Sequence, residues 1–443
     1  MVKTNKSLFI GKDGINYSFP FILITCLFLL WGFAHSLLDV LNKHFQDALN
    51  LTKAQSGAVQ ASAYGAYFLM AIPAGIIAKR FGYKTGVLVG LVLFFIGCFW
   101  FVPAVGINEF WAFLLGLLII FCGLTCLETV ANPYTTVLGH PQGAASRINL
   151  AQTFNALGWI LGPLVGSLLI FKNENSENPF ISFWNTIQSL FTGKAHTINN
   201  EITSDAVSNS ALIVPYVGLG IIVVLVAVMF FFAKLPEVNE DSESYSANDN
   251  TTSSAIKNKP LIKTPYFVLA VIAQFLYVAA QTGIGSFFVN YTIEVKSLAL
   301  SEFHAGILLG LGGMGLFAIG RFSGSAIMKS VKPNFLVGLF ALINTILMVI
   351  VAFNHNNVGI IALLLSYLFM SIMFPSIFAL GIRGLGNKTK AASSILVMTI
   401  VGGAICPSLM GAIGENNMSI GFIIPLFCFA FISFYGFIGS KLK

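Results

Sequence analysis

Two carboxylates stand where a carboxylate is expensive. In the stretch LETVANPYTTVLG, from Leu127 to Gly139, Glu128 lies within about thirty otherwise apolar residues, and Asn132 follows at i+4 on the same helical face. Pro133 comes next, removing one backbone donor and freeing one carbonyl. Further on, RINLAQTFNALG places Gln152 and Asn155 at i and i+3, again on one face. In WGFAHSLLDVLNKHFQ, a helical stripe carries His35, Asp39 and Asn42. A carboxylate at the centre of a membrane helix costs about 2.5 to 3.5 kcal/mol on insertion scales, so such residues face a bundle interior or an aqueous cavity. A group neutral when occluded and charged when wet can carry a proton, and carboxamides around it suit a solute with many hydroxyls.

These residues are set in an exceptionally apolar chain. Of 443 residues, 56% are hydrophobic and 9% charged, with a mean hydropathy of +0.84. That exceeds what a soluble core needs and identifies an integral membrane protein. Crossing about 30 Å of hydrocarbon takes about 20 apolar residues. Runs of that length occur at 19–43, 55–78, 86–105, 109–139, 148–172, 211–234, 265–293, 303–328, 334–353, 358–384, 391–414 and 418–440. The expected fold is therefore all-α, with twelve transmembrane helices.

Charge sets the orientation, because Lys and Arg accumulate on the cytoplasmic side. Both termini and the even-numbered connections carry 18 of the 24 cations, the opposite face carries five, and Arg321 alone falls within a span. Both termini are thus expected in the cytoplasm. The net charge of +7 follows from this asymmetry and points to no nucleic-acid partner, since no basic patch is interleaved with aromatics. All six cysteines fall inside spans without metal-ligand spacing, so neither a metal nor another cofactor is expected.

The chain divides into a tail at 1–18, a six-helix bundle at 19–234, a polar linker at 235–264, a second six-helix bundle at 265–440, and a tail at 441–443. SGAVQASAYGAYFLMAIPAGIIAKR (56–80) aligns without a gap on AGILLGLGGMGLFAIGRFSGSAIMK (305–329), matching Gly57 to Gly306 and Gly75 to Gly324. Pro133 and Gly139 likewise fall on Pro375 and Gly381, and Gly158 and Pro163 on Gly402 and Pro407. Two pseudo-symmetric halves with a mid-membrane site between them are how many secondary transporters are built.

Other residues take lesser roles. Gln281 is the best-placed side chain of the seventh span to reach a cavity from the second half, sharing a face with Gln274 and Tyr277. Arg321 lies about two turns from the cytoplasmic end of the eighth span, where a long side chain snorkels outward; a gating or structural role is expected for it and for Pro133. NPFISFWNTIQSLF, between spans five and six, puts Phe180, Phe183, Trp184, Ile187 and Phe191 on one face, an amphipathic helix expected at the outer membrane boundary.

CLETVANPYTTVLG, INLAQTFNALG and LTKAQSGAVQASAYGAYFLMAIPAGIIAKRFGYKTG together resemble the fucose/proton symporter family of the major facilitator superfamily, which also holds glucose/galactose and N-acetylglucosamine transporters. The resemblance implies import of a monosaccharide by proton symport with alternating access, L-fucose first, with galactose, glucose, mannose or N-acetylglucosamine as other substrates. It implies proton coupling at Asp39 and Glu128, and sugar binding by Glu128 with the amides Gln152 and Asn155; the helical spacing adds Asn132, Gln281 and His35 to the expected sugar-binding residues. Around Asp39 the chain reads HSLLD where the fucose carriers are rich in asparagine, and Lys79 stands where most of the wider superfamily has aspartate. Sodium in place of the proton is the alternative coupling ion, and a sugar sensor without flux the alternative class. An enzyme is not expected, since no nucleophile–base spacing occurs. The expected setting is the bacterial plasma membrane, with the lipid bilayer and a small sugar as partners and the chain acting as a monomer.

Overall fold

A computed structural model describes residues 9–10, 16–139, 144–171, 178–193, 209–233, 261–328, 330–383, 385 and 389–442. The N-terminal tail and the central linker lie largely outside the described residues. So do the side chains of Lys79 and Pro133.

The described chain is helical throughout, apart from a single bridge between Ile10 and Asn16. Its long helices are α1 (Ser18–Ala48), α2 (Lys53–Ala78), α3 (Arg80–Ile107), α4 (Phe110–Val137), α5 (Ala144–Leu169), a shorter α6 (Pro179–Thr192) and α7 (Ile213–Phe232). Then follow α8 (Pro265–Glu294), α9 (Glu302–Gly324), α10 (Pro333–Phe353), α11 (Asn357–Ile382), α12 (Ile395–Ile413) and α13 (Met418–Lys441). Eleven of these are long and apolar enough to cross a membrane. At 26 residues α5 is long enough, but Arg147, Asn149, Gln152 and Asn155 lower its hydropathy below that of the others. The span that fails on apolarity carries two of the candidate site residues, Gln152 and Asn155.

Local chemistry sets the helix ends. Thr52 and Gln55 form a capping box at the start of α2, each side chain satisfying the other residue's backbone N–H. Ser301 caps α9, and the Asn356 side chain accepts from the N–H groups of both Val358 and Gly359 at the start of α11. Gly82, at φ 84°, breaks the helix near the start of α3, a conformation that suits a residue without Cβ. Several spans deviate from regular α-helix, among them α9 with a π-helical turn at Leu308–Met314, α11 interrupted after Met370, and α12 with a 3-10 turn at Thr399–Val401.

The helices sort into two compact units. The first comprises residues 1–37, 65–162 and 209–245; the second comprises 38–64, 163–208 and 246–443. The first unit is organised by α3 against α4, where Gly123 admits Phe94 and Gly97 admits Ile120, while Phe101 stacks on Tyr216 of α7. In the second unit α8 is buried along most of its length. One aligned pair of glycines makes equivalent contacts there: a Cβ on Gly57 would meet the Ser408 hydroxyl, and one on Gly306 would meet the Ser167 hydroxyl. Similar sequence at a similar position thus produces the same kind of close helix crossing.

Candidate functional site

In the first unit, Glu128 is half-buried on α4, and its Oε2 accepts a hydrogen bond from the Tyr67 hydroxyl at 2.7 Å. Tyr67 is itself 7% exposed. One turn beyond, Asn132 Nδ2 donates to the Glu128 backbone carbonyl at 3.2 Å, and Gln152 Nε2 lies 3.5 Å from Asn132 Oδ1. α4 stays helical through Pro133, which offers no N–H to the turn before it. Carboxylate, phenol and two carboxamides are therefore contiguous.

His35 completes this group with an aromatic wall. Its ring lies 5.5 Å from Tyr67, 4.8 Å edge-on from Phe121 and 5.8 Å stacked from Trp159, centroid to centroid, and Nδ1 sits 3.1 Å from the Trp31 carbonyl. Aromatic faces beside hydrogen-bonding groups suit a sugar, whose ring presents C–H faces and hydroxyl edges. Asn155 has a different task. It is buried, its Nδ2 donates to the Phe28 carbonyl at 3.2 Å, and it packs where Gly32 brings the α1 backbone close.

In the second unit, Asp39 is 6% exposed and does not reach outward from its helix. Gln60 Nε2 stands 3.4 Å from its Oδ1, and Tyr367 is close enough to interact with it electrostatically. Against its other side lies Gly285 of α8, where an added Cβ would stand 2.7 to 2.9 Å from the carboxylate atoms. No cation lies within ion-pair distance among the described residues. This is a carboxyl group in a closely fitted seat, with one amide donor, and its charged form has little compensation.

Below Asp39 on α1 runs a ladder of amides. Asn42 Nδ2 donates to the Ser286 carbonyl at 2.7 Å, Asn290 Nδ2 to Gln46 Oε1 at 2.6 Å, and Gln46 Nε2 to Ser56 Oγ at 2.9 Å. The ladder ends in charge: Lys43 pairs with both Asp47 and Glu302, while Lys53 Nζ meets Glu294 at 2.5 Å and the Gly414 carbonyl at 2.9 Å. Gln281, also in this unit, is half-buried on α8.

Arg321 departs from its expected reach. Its guanidinium folds over the Phe317 ring, 4.9 Å from the centroid, and Nε is buried without a hydrogen-bond partner among the described residues. Four residues back on the same helix, the aromatic face offers a cation a nearer partner than the membrane surface does. No group of His, Cys, Asp and Glu suited to a metal occurs among the described residues.

Sequence reasoning passed over Tyr67 and Gln60, which supply the direct partners of the two carboxylates. A signal was present, because Gln60, Tyr64 and Tyr67 are spaced i, i+4, i+7 along α2 and so form one polar stripe in an apolar helix.

The model of the Major Facilitator Superfamily matches residues 21–408. The L-fucose-proton symporter of Escherichia coli K12 is 38% identical over 419 residues, covering 94% of this chain and 92% of that protein. The glucose/galactose transporter of Brucella abortus is 36% identical over 429 residues, covering 96% and 95%. Among solved structures, the Major Facilitator Superfamily transporter FucP in the outward conformation superposes with a TM-score of 0.64 at 38% identity, covering 95% of this chain and 98% of that one.

Proposed function

We propose that this chain, which belongs to the Major Facilitator Superfamily, is a secondary active transporter that imports a monosaccharide together with a proton. L-fucose is the first substrate to test, and galactose or glucose the next. Relatives of both kinds align over nearly the whole chain. The observation that carries the reading is the hydrogen bond from Tyr67 to Glu128, in one contiguous group with Asn132, Gln152 and the aromatic wall at His35. That group offers a sugar donors, acceptors and a stacking face, and offers a proton a carboxylate.

In this reading Glu128 contacts the sugar and exchanges a proton, with Asn132 and Gln152 fixing hydroxyl orientation. Asn155 supports the site through the α1 backbone, and Gln281 adds an amide from α8. Asp39 couples the proton: protonation removes an uncompensated charge from its seat beside Gly285, so the packing of α1 on α8 depends on its protonation state. The two six-helix bundles at 19–234 and 265–440 move as the alternating halves, both termini are cytoplasmic, and the transporter works as a monomer without a bound cofactor.

Proteoliposomes test the proposal. An inward proton gradient should accumulate labelled L-fucose. Asp39→Asn and Glu128→Gln should each abolish accumulation, with counterflow surviving in at least one. Accumulation indifferent to both substitutions overturns the mechanism, and accumulation that vanishes when sodium is replaced by choline at fixed pH transfers the coupling to sodium.

A further inference from the structure

The short helix α6 is amphipathic, but its faces are reversed from those of a helix that caps a protein in water. Ser182, Thr186 and Ser189 are buried with Leu190, whereas Phe180, Ile181, Trp184 and Phe191 are 67%, 56%, 67% and 74% exposed. The inward face tolerates burial because its hydroxyls are largely satisfied within the helix. Thr186 Oγ1 donates to the Ser182 carbonyl at 2.8 Å, and Ser189 Oγ to the Thr186 carbonyl at 2.8 Å. Small side chains there let α6 pack closely against its neighbours.

Those neighbours are spans. The space a Cβ on Gly312 would fill is lined by Leu364 Cδ2 at 3.1 Å and Phe183 Cε2 at 3.5 Å, so Phe183 sits on the π-helical turn of α9 beside α11. Seven residues later, the Leu190 carbonyl accepts from Asn357 Nδ2 at 3.3 Å, at the first residue of α11. Phe183 to Leu190 rises about 10 Å, as does Asn357 to Leu364. The two steps match in opposite directions, so α6 runs antiparallel along the first half of α11. Phe180 and Ile181, before Phe183 in the chain, continue that course away from Asn357.

A helix lying flat on a membrane surface sets Lys and Arg on its wet face. The stretch PFISFWNTIQSLFT contains no charged residue at all, and its hydroxyl face is turned into the protein. The end that points inward along α11 is also closed. Pro179 has no N–H to satisfy, and Asn178 Oδ1 accepts the Phe180 N–H at 2.9 Å. Val358 and Leu365 of α11 are exposed apolar residues on the same span.

We propose that α6 is a lipid-embedded half-span, dipping beside α9 and α11 into one leaflet, where acyl chains cover Phe180, Ile181 and Trp184. The partner is the hydrocarbon of the bilayer. Phe183 is then held between lipid and the π turn, which ties the packing of that turn to the membrane.

Tryptophan fluorescence in liposomes tests this with the full-length protein. In a variant keeping Trp184 alone, with Trp31, Trp100, Trp111 and Trp159 changed to Phe, phospholipids brominated midway along their chains should remove most of the emission, and aqueous acrylamide little. Where that variant fails to fold, comparing wild type with Trp184→Phe gives the same readout, since the substitution should reduce the bromolipid-quenchable fraction. Quenching by acrylamide but not by bromolipid places α6 in water and overturns the proposal. Resistance to both overturns it in favour of a protein cover such as a second copy of the chain.

Discussion

The Tyr67 hydroxyl donates to Glu128 Oε2 across 2.7 Å, joining α2 to α4 at the one carboxylate of the first unit's polar group. A hydrogen bond to a charged acceptor contributes about 1.5 to 3 kcal/mol. Removing it leaves the Glu128 carboxylate free to rotate and exposes it to competing partners. Tyr67→Phe keeps the ring beside His35 and Phe121 and deletes only the donor. We expect a fall in sugar affinity of about tenfold or more, about 1.4 kcal/mol per tenfold. The concentration dependence of counterflow reads it directly; an unchanged half-saturation concentration would mean that Glu128 binds sugar without Tyr67.

Gly285 and Asp39 predict a coupled pair of effects on stability. A methyl at Gly285 would overlap the Asp39 carboxylate, and overpacking of this kind costs about 1 to 3 kcal/mol. Gly285→Ala should therefore lower the melting temperature of the purified protein. In an Asp39→Ala background the same methyl enters vacated space, so its cost should shrink, giving a coupling energy of about 0.5 to 3 kcal/mol in the double-mutant cycle. Additive effects would show that Gly285 is needed for some other contact.

Glu128, Asn132, Gln152 and Asp39 were legible in the sequence because polar residues in apolar runs are conspicuous, and helical spacing gives them a common face. Their partners were not. Tyr67 and Gln60 show in the sequence only as members of a polar stripe on α2, and the packing of α2 on its neighbours is what sets them against the two carboxylates. Asn155 was legible as an amide, but its use on the Phe28 carbonyl depends on Gly32 allowing close approach, a tertiary fact. The helix α6 was predicted from Asn178-Pro179 and its apolar stripe; which face turns inward was not, because periodicity fixes the existence of two faces and the surroundings decide which is buried. The π turn at Leu308–Met314 lies in a glycine-rich run, where sequence shows permissiveness and not its outcome.

Lys53 holds three groups at once: the Glu294 carboxylate at 2.5 Å and the Gly414 and Glu415 carbonyls, each at 2.9 Å. Glu294 is engaged twice, since its Oε2 also accepts the Met418 N–H at 2.8 Å. An isolated exposed pair contributes little, but a partly buried one that also ends a helix contributes more. Lys53→Met should cost about 1 to 3 kcal/mol, because it leaves carbonyls and a carboxylate without their donor. Lys53→Arg should recover most of that. Thermal melting of the three proteins at low and high salt tests this, and equal melting of Met and Arg variants would reduce Lys53 to a solvated side chain.

Arg321 separates stability from function. Its guanidinium lies over Phe317 and has no carboxylate within ion-pair distance among the described residues, while nearby Tyr277 donates its hydroxyl to the Met370 carbonyl at 3.0 Å. Replacing a poorly compensated buried charge by an apolar side chain of similar length is often neutral or stabilising, by about 1 to 4 kcal/mol at most. Arg321→Met should thus melt at or above the wild-type temperature. If the charge is retained for transport, the same protein should lose counterflow, and Arg321→Lys should restore only part of it, since an ammonium cannot reproduce the planar stack on Phe317. A melting temperature well below wild type, with transport lost only in proportion to folded protein, would instead make Arg321 a structural residue whose partner is the packing of α9 itself.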